Sequence, residues 1–273
     1  VNRIARYDGN EATPLGAGTN GEINIITTFQ GLLAMGGAFT EVYPQKGAAI
    51  PTGGLAFWNT ERGEWSQVQG MPTGTFPGVV MALAAEGSML AVGGKFDRFS
   101  PSTRHLNGVA MYNSVFEKWM ALGEGVSGGD VLALLLRCSP REVDRKIPNA
   151  TNGTESSCAP GSSACNAASN RTVGSAGPCN ENDSLQLYAG GTFSKAGSKE
   201  AQRLALWEGS EWTSIGNLNG DVLAFAHLSG WLYVGGAFTE VQYGKIGTHN
   251  GKHLDVDHVA RYRDGIWEAL GSG

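Results

Sequence analysis

The sequence predicts an all-β chain assembled from repeated antiparallel units, and three observations carry that prediction. First, 41 of the 273 residues are Gly and charged residues make up only 16%. Gly is roughly twice its usual ~7% share and charge falls below the usual ~25%. Second, four apolar stretches end in the same Gly-Gly-x-Phe pattern. Third, each is flanked by one short apolar stretch ahead of it and two behind. Glycine without a three-residue period excludes collagen, and 41% hydrophobic residues exclude a disordered chain. Sparse charge argues against a helical bundle, and the longest apolar run, 131–136, is far short of the ~20 residues that span a bilayer.

In chain order, the predicted first strands are 21–26, 78–83, 129–134 and 220–225. Second strands carry the glycine pairs: Gly36-Gly37 with Phe39, Gly93-Gly94 with Phe96, Gly190-Gly191 with Phe193, and Gly235-Gly236 with Phe238. Third strands begin at Leu55, Val109, Leu204 and Val259, and fourth strands are led by Trp65, Trp119, Trp212 and Trp267. Turn sequences such as Asp264-Gly265 join the last two, as a tight hairpin requires. Successive glycine pairs start 57, 97 and 45 residues apart, so the repeat is ~40–50 residues with one large insertion. A unit of four short strands has two apolar faces and cannot bury both alone. Radial stacking buries them, which predicts a β-propeller of four-stranded antiparallel blades over residues 1–273. The paired Gly then serves close backbone approach, and Phe and Trp supply buried area between neighbours.

The aromatic of the third strand and the Trp that follows (Trp58/Trp65, Tyr112/Trp119, Trp207/Trp212, Tyr262/Trp267) resemble the kelch repeat. The Gly-Gly-x-Phe-Thr/Ser form, with Leu122-Gly123 or Leu270-Gly271 after the Trp, is similar to the kelch-like repeats of fungal Rax2-like extracellular proteins. The resemblance covers nearly everything outside residues 138–184. It implies a propeller and a surface location but no particular activity, because propellers host many.

Repeat phase adds an expectation. Ile4-Ala5-Arg6-Tyr7 and Leu15-Gly16 align with Val259-Ala260-Arg261-Tyr262 and Leu270-Gly271. Five outer halves therefore face four Gly-Gly halves, giving four blades plus a half-blade. A free half-blade exposes an edge and an apolar face. Either a polypeptide continuing past Gly273 or a neighbouring segment is expected to supply two strands.

Residues 138–184 interrupt the third repeat between its first and second strands. All four cysteines fall there (Cys138, Cys158, Cys165, Cys179), with four Asn-x-Ser/Thr sequons at Asn149, Asn152, Asn170 and Asn182. Clustered sequons with an even Cys count predict a secreted, N-glycosylated, disulfide-stapled loop. Three connectivities are open, Cys138–Cys179 with Cys158–Cys165 among them. No Cys-x-x-Cys spacing favours a metal.

No catalytic set emerges. Of the five histidines (His105, His227, His249, His253, His258), the last three share a segment with Asp255 and Asp257, giving a weak metal-site candidate in what reads as a polar loop. Asp8, Glu11, Glu64, Glu117, Glu211, Asp264 and Glu268 recur near hairpin turns, where carboxylates cap local backbone. A glycosidase pair is expected to be unique and inward-facing instead. Aromatic binding candidates are Trp231, at a turn where other repeats carry none, and Tyr43 with Tyr243. A net charge of −5 gives no reason to expect nucleic acid. The expectation is a non-catalytic extracellular scaffold or protein–protein interaction module without a cofactor, contacting other extracellular proteins or further segments of its own polypeptide and not inserting into a membrane. A carbohydrate-binding or carbohydrate-active propeller is the alternative.

Overall fold

A computed structural model describes residues 3–66, 78–97, 106–140, 183–244 and 251–271. Among them every regular element is a β-strand. The chain opens with a hairpin of β1 (Ala5–Tyr7) and β2 (Ala12–Pro14). The first repeat follows: β3 (Gly18–Thr19), β4 (Ile23–Phe29), β5 (Leu32–Gly37), β6 (Glu41–Tyr43), β7 (Ile50–Pro51), β8 (Leu55–Asn59) and β9 (Glu64–Ser66). The second contains β10 (Gly78–Glu86), β11 (Met89–Phe96), β12 (Val109–Asn113) and β13 (Lys118–Ala121). The third runs through β14 (Val126–Ser127), β15 (Val131–Pro140), β16 (Asp183–Gly191), β17 (Lys195–Ala196), β18 (Lys199–Glu200), β19 (Leu204–Trp207) and β20 (Trp212–Thr213). The fourth has β21 (Asn217–Leu218), β22 (Val222–Leu228), β23 (Trp231–Gly236), β24 (Glu240–Gly244), β25 (Gly251–Asp255), β26 (Val259–Arg263) and β27 (Ile266–Ala269).

Four antiparallel four-stranded sheets result: β4-β5-β8-β9, β10-β11-β12-β13, β15-β16-β19-β20 and β22-β23-β26-β27. Their registers repeat. In each, the first strand slips by one residue opposite the glycine pair, between Ile23/Ile25, Val80/Ala82, Val131/Ala133 and Val222/Ala224. Such a bulge bends the strand and increases its twist. The cross-strand pairs Trp58–Trp65, Tyr112–Trp119, Trp207–Trp212 and Tyr262–Trp267 have ring centroids 5.0–5.4 Å apart, within the favourable aromatic range.

The two glycines of each pair have separate tasks. The second approaches backbone: a Cβ on Gly37, Gly94, Gly191 or Gly236 would overlap the carbonyl of Glu22, Val79, Asp130 or Asp221, at or just before the start of the adjoining strand. Its N–H also donates to the carbonyl of Gly54, Gly108, Arg203 or His258, at 2.9–3.1 Å. Each of those four acceptors has a positive φ. The first glycine serves packing between sheets. A Cβ on Gly36, Gly93 or Gly190 would overlap a methyl of Val80, Val131 or Val222, on the first strand of the next sheet. Neighbouring sheets are thus interlocked, and the buried clusters span their contacts.

Leu122-Gly123 and Ile215-Gly216, which follow the fourth strands of the second and third sheets, belong to the same interface. Trp212 Nε1 donates to the Leu122 carbonyl of the preceding repeat at 2.8 Å, and Trp267 Nε1 to that of Ile215 at 2.8 Å. A Cβ on Gly216 would sit 3.0 Å from Trp267 Nε1, so only a residue without a side chain passes beneath the ring comfortably.

Two sequence expectations are corrected. The His-rich stretch between second and third strands reads as a polar loop. Where described, it forms a hairpin, β24–β25, that pairs with the short β21 into a three-stranded side sheet, and β3-β6-β7 and β14-β17-β18 are its counterparts. The preceding strands β3, β14 and β21 have two residues each, too short for sequence periodicity to reveal. The insertion is also narrower than 138–184. The ladder continues through Cys138↔Leu185, Ser139↔Ser184 and Pro140↔Asp183. Backbone groups make the ladder, so the compositional change at residue 138 does not end it. Cys138 therefore stands on β15, while Cys158, Cys165, Cys179, Asn149, Asn152, Asn170 and Asn182 lie outside the described residues.

Candidate functional site

Sequence reasoning singles out three sets of side chains on the surface, and the structure gathers one of them. The first surrounds Trp231. It opens β23 directly after the left-handed pair Ser229-Gly230, the geometry of a tight two-residue hairpin. The guanidinium carbons of Arg261 and Arg263 on the neighbouring β26 both lie 4.2 Å from the ring centroid. The carboxylate of Glu268 accepts from Arg261 Nε at 2.8 Å and, with Tyr233, keeps that guanidinium above its ordinary value. The indole thus lies over its own sheet in a cation–π cluster.

Tyr43 and Tyr243 are not brought together. They sit on the side sheets of the first and fourth repeats, one residue out of register. Val42 pairs with Thr19 and Val241 with Leu218, so Tyr43 corresponds to Gln242. A period of two places neighbouring residues on opposite faces. Tyr43 donates to the Glu41 carboxylate at 2.9 Å, a bond that raises the phenol above its usual value. Lys252 lies 5.6 Å from the Tyr243 ring centroid.

The histidine segment resolves into separate pairs. His253, on β25, lies 2.9 Å from Asp255 and 3.7 Å from Glu240. His258 lies 3.2 Å from Asp257. Its backbone takes the left-handed position before the third strand that Gly54, Gly108 and Arg203 take elsewhere, which gives His258 a structural task. Among the described residues no group of three or more His, Cys, Asp or Glu is placed to hold a metal. His249 and His105 lie outside them. The recurrent carboxylates do local work: Asp8 accepts from Asn10 and Glu11 backbone, which lowers its pKa, with Glu11 the larger cause. Glu211 pairs with Lys199 at 2.8 Å. At the corresponding turns of the first and second sheets Asn59 and Asn113 make the caps instead.

Sequence reasoning missed two features. A polar recess of about 250 Å³ is lined by Gln202, Arg203, Asn217, Asn219, Glu240 and Gln242. Much of its lining is already engaged: Arg203 donates to the Leu218 carbonyl at 2.7 Å, and Asn219 bonds to Thr239 and to the Glu240 backbone. Asn20 repeats the same contacts with Thr40 and Glu41, and this explains the Thr of the repeat. The second feature is Val115-Phe116, exposed at the tip of the β12–β13 hairpin. The corresponding turns carry Gly or polar residues, a contrast visible in the sequence.

One inter-sheet contact titrates. His227 on β22 lies 2.7 Å from Arg137 on β15, and burial, then the Arg137 charge, lower its pKa from 6.5. The folded state therefore favours neutral imidazole while the unfolded chain binds a proton more readily. This contribution is complete above the unfolded value and is lost as pH falls below it. Unfolding between pH 5 and 8 should show a stability loss toward pH 5 that His227→Gln diminishes.

The sequence matches no family model and no curated protein. No helix among the described residues is long and apolar enough to cross a membrane.

Proposed function

We propose that this chain is a β-propeller segment of an extracellular glycoprotein, with kelch-like repeats as blades, and that it acts as a scaffold for protein contacts without catalysis. The observation that carries this reading is the division of labour in the repeat. Interlocked glycines, Trp donors and aromatic pairs are spent on blade-to-blade packing, leaving hairpin tips and side sheets as rigid display positions. Val115-Phe116 is one such tip, apolar and exposed. The polar groups that catalysis would need are held in turn caps and neighbouring ion pairs. The extracellular assignment draws on the sequon-rich insertion and on the even set of four cysteines that begins at Cys138.

Expression through a eukaryotic secretory pathway, followed by non-reducing peptide mapping, tests the assignment. Oxidised cysteines and glycan on at least one of Asn149, Asn152, Asn170 and Asn182 are expected; four free thiols and bare asparagines would overturn it. The carbohydrate reading rests on the polar recess near Arg203. A glycan array decides between them. Selective binding that Gln242→Ala abolishes would establish the second reading in place of the first.

A further inference from the structure

The half-sheet β1–β2 is seated as the outer half of a sheet that precedes the first. Ile4 and Leu15 pack with Met35, Phe39, Val42, Trp58 and Trp65, as Leu55, Val109 and Leu204 of the first three outer hairpins pack against the sheet after them. Among the described residues its inner half is open, and β1 pairs with β2 alone. Ala5 is exposed, whereas its counterparts Ala56, Ala110, Ala205 and Ala260 are buried. Tyr7, counterpart of the buried Trp58 and Tyr112, is 69% exposed. On β4, Ile26 is 48% exposed, while Leu83, at the same register on β10, is buried against the first sheet. Among the described residues the β1 edge is therefore open, and so is Ile26, exposed on β4 between Asn24 and Thr28.

The other four sheets define what fills such a place. On each third strand the aromatic faces a Leu of the second strand: Trp58↔Leu33, Tyr112↔Leu90, Trp207↔Leu187 and Tyr262↔Leu232. Three residues on, the first glycine of the pair faces the residue that opens the third strand: Leu55↔Gly36, Val109↔Gly93, Leu204↔Gly190 and Val259↔Gly235. Carried onto β1, this register puts a Leu opposite Tyr7 and a Gly opposite Ile4. We infer that the β1 edge is a strand-addition site for a β-hairpin whose second strand reads Leu-x-x-Gly-Gly and docks antiparallel to β1. Main-chain bonds to the edge supply affinity, and the Leu over Tyr7 supplies specificity. The second glycine is selected because a bulge carbonyl approaches it, as at Gly37. The other strand of the hairpin covers Ile26, as the first sheet covers Leu83 of β10. This inference rests on the propeller reading and names the partner it takes.

The test adds a synthetic peptide with the sequence of residues 21–40 to the whole chain, followed by calorimetry and amide hydrogen exchange. Saturable binding is expected, with slowed exchange at Ala5–Tyr7. Tyr7→Asp and Ile26→Asp, both at exposed positions, should each weaken binding at least tenfold, as should Leu33→Asp within the peptide. Absence of binding at 100 μM peptide, or binding indifferent to all three changes, would overturn the inference. So would self-association of the unmodified chain that Ile26→Asp abolishes, since a second copy would then occupy the face. A chain that binds no peptide yet passes the secretion test keeps the proposed function and loses only this inference.

Discussion

Replacing Gly94 by Ala is expected to lower the unfolding free energy by about 3 kcal/mol, the upper part of the overpacking range. The added methyl would overlap the Val79 carbonyl. That carbonyl belongs to the bulged first strand of the same sheet, so it cannot rotate aside as a flexible side chain would. Displacing the strand would also disturb the bond from Gly94 N–H to the Gly108 carbonyl, 3.0 Å long. Chemical denaturation followed by tryptophan fluorescence measures the loss. The same change at Gly37, Gly191 or Gly236 should cost a similar amount, because each faces an equivalent carbonyl.

The second large effect comes from a pair of substitutions at one register position. Phe29 closes β4 opposite Leu32, and Leu228 closes β22 opposite Trp231. Phe29 is 3% exposed, with its ring centroid 6.4 Å from those of Phe57 and of Tyr112 in the next sheet. Leu228 is 64% exposed. Phe29→Ala should cost about 3–5 kcal/mol, the transfer and cavity terms of a buried aromatic. Leu228→Ala should stay within about 0.5 kcal/mol, as surface substitutions do. Equivalent places in the repeat thus differ in energy because one is covered by a following sheet and the other is not. Thermal unfolding of the two variants compares them directly.

Much of this architecture is legible in the residues. Gly-Gly-x-Phe, the aromatic–Trp spacing and Leu-Gly mark three distinct contacts that recur in space as they recur in sequence. The one-residue offset between Tyr43 and Tyr243 is equally visible once Phe39 and Phe238 are aligned, and it separates a pair that proximity to the motif suggests. The side sheets are not legible. Strands such as β17 and β18 have two residues each, and their pairing depends on the main chain rather than on a side-chain pattern. The environment of Trp231 also escapes sequence reasoning, because Arg261 and Arg263 reach it across a strand pairing that brings β26 beside β23. His258 illustrates the same limit. Its residue type suggests chemistry, while its positive φ and its hydrogen bonds to Gly236 and Phe238 give it the place that glycine holds in the first two repeats and Arg203 in the third.

The first glycine of each pair is a socket for the next sheet, and among the described residues the fourth socket is open. At Gly190 a Cβ would overlap Val222 and the Phe225 ring; at Gly235 the nearest atom would be Ala224 Cβ, 3.9 Å away. Measuring the unfolding free energies of Gly190→Ala and Gly235→Ala side by side tests this most directly. A loss of about 1–3 kcal/mol is expected at Gly190. At Gly235 no loss is expected, or a gain of roughly 0.5 kcal/mol, because Ala has less conformational freedom to lose than Gly. Equal losses at the two positions would contradict it.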